Sequence, residues 1–305
     1  MSEIKFYIVD VFAREKYAGN QLAVFLDLEQ RLSVEQMQQM TREINFAEST
    51  FIRSIESDGS FGVRIFTTEY EVPFAGHPTL GTTYILGKHL IEKPTNEIVL
   101  RLKKGDVPVD ISNPNKLEES QFTMQQVQPE FGVTFDAKTI SDAFDIPLDY
   151  FDASMPIQDV NTGLPYLIIF LKDLGSIGSL KLNADRVEQF LIQEKLFKSN
   201  NPRSLTTNLF FVTRETVEES NSYHSRMLVL EDGKIWEDAA TGSANGCFLA
   251  YLLKHVSPSQ SAIVEQGFEM GRKSILHLDG KFDENEYILK VGGQVVPVSE
   301  GMWSV

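Results

Sequence analysis

Two short stretches of the chain each set an ionisable side chain at the threshold of an apolar helix. Trp236-Glu-Asp-Ala-Ala240 leads through Thr241-Gly-Ser-Ala-Asn-Gly246 into Cys247-Phe-Leu-Ala-Tyr-Leu-Leu253, with Asp238 at the entrance. Far upstream, Pro73-Phe-Ala-Gly-His-Pro-Thr-Leu-Gly81 runs into Thr82-Thr-Tyr-Ile-Leu86, with His77 in the same place. A helix N-terminus carries unpaired N–H groups and a partial positive charge, so it can hold a carboxylate. Tiny residues let a ligand approach the backbone. Two such termini predict one site for a small carboxylic acid, built where two similar halves meet.

The third candidate is Glu48, within Asn45-Phe-Ala-Glu-Ser-Thr-Phe-Ile52, where a predicted helix gives way to a strand. Its neighbours are mostly apolar or small. Burial there would raise its pKa and make it a usable acid and base near neutral pH; the alternative is a local cap or salt bridge. His77 would sit beside a helix N-terminus, which disfavours its protonated form, or it could be an ordinary packed histidine. Asp238 could simply cap the helix over 243–254. Ser243 offers a hydroxyl and an N–H at that helix start, but no Gly-x-Ser-x-Gly elbow surrounds it. Asn20, after Gly19, is either a turn residue or a ligand contact. Cys247, inside an apolar helix, reads as an inert packed thiol. Neither a Walker loop nor Gly-x-Gly-x-x-Gly occurs, so a nucleotide cofactor has no support, and no Cys/His cluster has zinc spacing.

Ile4, Phe6 and Ile8 alternate as in a strand that begins at the N-terminus, and Leu22-Ala-Val-Phe-Leu26 predicts another. Between Leu32 and Asn45 a helix is marked by Ser33 as N-cap, Gln36 completing a capping box, a Leu32–Met37 staple and Asn45 as its left-handed end. A strand follows from Glu48, and a further one over Phe61 to Tyr70. Pro78 in the first turn and Gly87 just past the end bound a helix over 78–86. Lys103-Lys-Gly-Asp106 turns a hairpin. Asn113-Pro-Asn-Lys-Leu117 marks a boundary, after which the order of elements loosely repeats: strand 120–127, helix about 138–145, strand 165–171, helix about 183–196, strand 207–213, strand 224–230. Helix 243–254 is apolar on nearly every side and must be enclosed, as strands wrapped around it would do. Strands at 275–278, 287–291 and 295–298 end the chain.

The 305 residues suffice for one large domain or two ordinary ones. A net charge of −15 argues against binding nucleic acid or an anionic membrane surface. With Cys247 as the single cysteine, no intrachain disulfide can form, which suits a reducing cytoplasm. No run is apolar and long enough to span a bilayer, and the first residues do not read as a signal peptide.

Phe66-Thr67, Glu71-Val-Pro-Phe-Ala-Gly-His-Pro-Thr-Leu-Gly81 and Asp238-Ala-Ala-Thr-Gly-Ser-Ala244 resemble the signatures of the phenazine-biosynthesis PhzF-like isomerase family. Gly19-Asn20 with Leu22-Ala-Val24, Asn45 with Glu48, and Gln266-Gly267 with Gly271-Arg272 match in the same order. The chain departs from the family where Gln21, Thr68 and Ala239 replace frequent prolines and Ala47 a serine, which bears on pocket shape and substrate. The resemblance implies an α+β, diaminopimelate epimerase-like fold of two pseudo-symmetric domains, each a mostly antiparallel β-barrel around a central helix. The expected domains are 1–116 plus about 290–305, and 117–289, with the active site in the cleft. It also implies a cofactor-free, metal-free enzyme, commonly a homodimer. Epimerase relatives use two opposed cysteines at the helix starts; here His77 and the Asp238–Ser243 region stand there, so a two-thiol mechanism is not expected. Glu48 is expected to shuttle a proton between two carbons of one substrate, as in isomerisation of trans-2,3-dihydro-3-hydroxyanthranilate, with His77, Asp238 and Ser243 assisting. Asn20, Ser49, Gly76, Thr241 and Gly242 are the expected substrate-binding residues. Epimerisation at an α-carbon and non-catalytic binding of a small acid remain as alternatives.

Overall fold

The structure, a computed structural model, describes residues 3–305. In chain order the elements are β1 (Glu3–Val11), β2 (Asn20–Leu26), α1 (Val34–Ile44), β3 (Glu48–Ile55), β4 (Phe61–Thr67), β5 (Glu71–Val72), α2 (Gly76–His89), β6 (Glu97–Leu102), β7 (Gly105–Ile111) and β8 (Phe122–Gln125). Then come β9 (Glu130–Phe135), α3 (Ala137–Phe144), β10 (Ile157–Asn161), β11 (Pro165–Phe170), α4 (Leu174–Gly178), α5 (Ala184–Gln193), β12 (Asn208–Thr213), β13 (Tyr223–Glu231) and β14 (Lys234–Asp238). The last are α6 (Gly242–His255), β15 (Ser259–Gln266), β16 (Ser274–Asp283), β17 (Glu286–Gly293) and β18 (Val295–Ser304). The expectation of a strand from the very first residues falls partly on positions 1–2, outside the described residues. The architecture is mixed: a large amount of sheet and few helices. The chain divides into two compact units, one running to Gln125 and including Gly292–Val305, the other Gln126–Val291.

In the first unit β18 and β2 flank β1 antiparallel. From β2 the chain crosses through α1 to the parallel strand β3, which pairs antiparallel with β4. β4 then pairs with β5 and, after the crossover through α2, with parallel β6. α1 has the features read from its sequence: Ser33 and Gln36 form a capping box, and Asn45 ends it at φ 57°. Its buried Met37 and Met40 cover Phe25, Phe51 and Phe66 on one face of the sheet. Full burial of each such side chain contributes roughly 1.5–3 kcal/mol. α2 packs against β1, β2, β3, β6, β7, β8 and β18. Its threonines tolerate this enclosure because each hydroxyl is satisfied: Thr79 and Thr83 donate to the carbonyls of Ala75 and Thr79, and Thr82 pairs with Thr50. Gly81 lets β1 and β2 approach, since a Cβ there would lie 2.6 Å from Leu22 and 2.8 Å from Val11.

Gly87 was expected beyond the end of this helix and lies inside it. The helix runs to His89, and Gly87 serves contact instead, with Leu117 3.3 Å from where a Cβ would be. Asn113–Leu117, read as a domain boundary, belongs to the first unit. Ser120 ties the turn back by donating to the Asn113 carbonyl, and Phe122–Gln125 continues onto β7.

The second unit repeats this order. β11 leads through α4 and α5 to parallel β12, which pairs antiparallel with β13. β13 takes β14 antiparallel and, after the crossover through α6, β15 in parallel. Helices α3, α4 and α5 cover Leu167, Ile169, Leu209 and Phe211 on one face. α6 packs against β10, β11, β15 and β16, and Phe210 and Phe170 meet Phe248 on its flank. Strands β9, β10, β14 and β15 had no counterpart in the sequence reading. They are short or are placed by partners distant in sequence. Among the described residues no helix is long and apolar enough to cross a membrane.

Candidate active site

Glu48 is the first residue of β3, opposite Leu22 in the parallel pairing. Strand alternation settles its direction. Thr50 reaches Thr82 of α2, whereas Phe51 stacks on Phe25 in the α1-side core. Glu48 therefore shares the α2 face with Thr50. Ser49 falls on the opposite face with Phe51; its hydroxyl is buried and has no hydrogen-bond partner. The two neighbours, expected together at the site, are thus split across the strand. Ser49 can contribute there through its backbone.

His77 lies in the first turn of α2, 6% exposed. Its Nε2 stands 3.5 Å from Oε2 of Glu48 and makes no hydrogen bond. The Glu48 side chain is 20% exposed, enough to remain reachable. Burial pushes the imidazole pKa down to about 3, against a hydrogen bond with the Gln21 backbone, so the ring is neutral at physiological pH. That bond brings the start of β2 to His77, and with it Asn20, itself buried opposite Val11. Gly19 makes this entry feasible: at φ +63°, a Cβ would lie 2.2 Å from the Val11 carbonyl oxygen. The N-cap of α2 is Ala75, which offers its first turn no side-chain cap bond. Carboxylate, neutral imidazole and uncapped helix start form one cluster within the first unit.

The second unit carries an analogous cluster. Asp238 ends β14 and precedes α6, whose N-cap is Thr241. The N-cap position of α6 falls on Thr241, not on Asp238. Its Oδ2 accepts from the Thr241 hydroxyl, and the first turn at Gly242 and Ser243 has no side-chain cap. Ser243 Oγ is 2.7 Å from the hydroxyl of Tyr166, a buried residue of β11. Gln266 at the end of β15 bonds to Thr241, Asn245 and the Asp238 carbonyl. Neither Tyr166 nor Gln266 was singled out as a site residue. For Gln266 the available signal was its place in the Gln266-Gly267 pair that matches the family. Cys247 lies deeper in α6, fully buried, bonded to Thr162 and to the Leu164 carbonyl. Burial pushes its thiol up to about 12, away from the thiolate form that reacts.

The repeat of elements matches Glu48 to Asn208. Each is the first residue of the strand after the outer crossover, and Asn208 shares a face with Phe210, which meets α6. One unit carries a carboxylate where the other has a neutral amide.

The fold is mixed, with a doubled crossover motif, each copy enclosing a helix whose N-cap, Ala75 or Thr241, makes no side-chain cap bond. The chain matches the family of phenazine biosynthesis-like proteins (PhzC-PhzF) over residues 9–301 and belongs to it. It is 29% identical to the trans-2,3-dihydro-3-hydroxyanthranilate isomerase of Pseudomonas aeruginosa, over 97% of this chain and 98% of that protein. An uncharacterized isomerase of Clostridium acetobutylicum is 30% identical, with 96% of this chain and 95% of that protein covered. The crystal structure of a phenazine biosynthesis protein of the PhzF family from Bacillus anthracis superposes with a TM-score of 0.85 at 25% identity, over the whole of both chains.

Proposed function

We propose that the protein is an isomerase that moves a proton between carbons of a small carboxylic acid without a cofactor. The relatives' names support an isomerase. The observation that carries the mechanism is Glu48 on the α2 face, 3.5 Å from a buried, neutral His77. As carboxylate, Glu48 removes a proton from carbon; as acid, it returns that proton to another carbon of the same molecule. His77 cannot compete as the base, because its basicity is suppressed by burial. It serves as a neutral hydrogen-bond partner for a polar substituent. A helix start without a side-chain cap, at Gly76–His77 in the first unit or at Gly242–Ser243 in the second, can supply N–H groups for a carboxylate and for the charge that spreads into it as the proton leaves. Asp238, Thr241 and Asn20 bind amino or hydroxyl groups of the substrate.

The substrate class is a compact acid, cyclic or open-chain, bearing an amino or hydroxyl group, and the first compound to try is trans-2,3-dihydro-3-hydroxyanthranilate. Turnover in deuterated water, followed by ultraviolet absorbance and by chiral analysis, tests the reading. A shifted double bond supports isomerisation; an inverted, labelled centre with no spectral change assigns epimerisation instead. Binding with no exchange at carbon leaves only an acid-binding protein. The protein is proposed to act in the cytoplasm as a homodimer.

A further inference from the structure

We propose that Gln266 is a positioning residue for the reaction: it aims the Thr241 hydroxyl proton at Asp238 and fixes the start of α6 against β14. The inference rests on the reading that Asp238 and the α6 start bind substrate. A glutamine amide offers two acceptor lone pairs and two donors. At Gln266 all four are used. Oε1 accepts from the Thr241 N–H at 3.2 Å and from Asn245 Nδ2 at 3.0 Å. Nε2 donates to the Asp238 carbonyl and to Thr241 Oγ1, both at 2.9 Å. Because Thr241 Oγ1 receives a hydrogen from Gln266, its own proton is left to point elsewhere, and it goes to Asp238 Oδ2. The carboxylate thus takes its direction from an amide that is itself fully buried.

The surroundings leave Gln266 no second arrangement. It ends β15 opposite Ser225, whose hydroxyl donates to the neighbouring Glu265 carbonyl. The chain then turns at Gly267, φ +74°, where a Cβ would lie 2.5 Å from the Ala239 carbonyl oxygen. Ser274 donates to that same oxygen. The two residues that follow Asp238 are held from one side by this turn and from the other by the amide. A fully saturated buried network of this kind specifies one geometry. Reorienting the amide would set donor against donor at Asn245 and at the Thr241 N–H.

The test is a mutant cycle on the full-length protein with trans-2,3-dihydro-3-hydroxyanthranilate as probe. Gln266→Met keeps the shape and removes all four bonds. In the otherwise native chain it should lower kcat about 100-fold, the scale of a misplaced reacting group. In an Asp238→Asn background the same change should cost less than about threefold, since groups acting as a unit are non-additive. A merely structural glutamine would lower thermal stability and leave kcat at 25 °C unchanged, and that result overturns the proposal. Equal losses in both backgrounds overturn it as well. Thr241→Val deletes only the relayed hydroxyl and carries the same criteria if Gln266→Met does not fold. If Asp238→Asn alone turns over normally, the role given to Asp238 fails, and the inference with it. If Asp238→Asn is impaired and Gln266→Met is not, only the inference fails. If the unmodified protein is inert towards the probe, the proposed substrate fails and hydrogen exchange decides the inference. Gln266→Met must then speed exchange across 239–245 about tenfold and leave 76–86 unchanged; equal rates overturn it.

Discussion

Nε2 of His77 and Oε2 of Glu48 stand 3.5 Å apart, with the imidazole neutral and the carboxylate partly open to solvent. Under the proposed mechanism the carboxyl group carries the proton, and burial of the imidazole keeps it from taking that role.

Glu48→Gln keeps the size of the side chain and removes the proton carrier. Turnover should fall by roughly 10²–10⁴, while the circular dichroism spectrum and the melting temperature stay close to those of the unmodified protein. Normal turnover in this variant, on a substrate the parent converts, would end the proposed mechanism.

His77 sets an acid limb of stability. Its native pKa of about 3 lies below the ordinary value of 6.5, so the unfolded chain binds a proton that the native state refuses. Stability should therefore fall as the pH drops below about 6.5, with about 2 kcal/mol lost by pH 5. Urea unfolding of parent and His77→Asn at pH 8 and pH 5 measures this. The variant should lose that much less on acidification.

His224 has the opposite sign. Burial alone would lower its pKa, but 2.9 Å bonds to both Glu265 and Glu269 outweigh that and raise it to about 9. The native imidazolium contributes fully below pH 6.5, and the contribution is lost as the pH rises through about 9. The loss is on the order of 3 kcal/mol. Melting temperatures at pH 6 and pH 9.5 should converge in His224→Gln; a parallel fall in both proteins refutes the assignment.

Cys247 should resist alkylation in the folded protein. Intact mass after iodoacetamide at pH 8 should be unchanged, with activity retained, and denaturant should expose a single reactive thiol. Fast modification with loss of turnover would restore a thiol mechanism.

The local parts of this architecture were legible in the sequence. The capping box of α1 and its Asn45 terminus need only neighbouring residues, and the apolar runs of α2 and α6 betray their enclosure. What distance in sequence decides was not legible. Gln266 becomes significant only when β15 pairs with β13, and Tyr166 only when β11 brings it to Ser243. The split of Glu48 from Ser49 follows from strand alternation, but the faces are named only once Thr82 and Phe25 are found on either side. Gly87 has the residue type of a helix end, and the packing of Leu117 overrode it.

Asn208, the amide at the register of Glu48, cannot take up a proton as a carboxyl group does, so under the proposed mechanism one side chain both collects and returns the hydrogen. In deuterated water part of the original hydrogen should then reappear at the new carbon instead of being washed out.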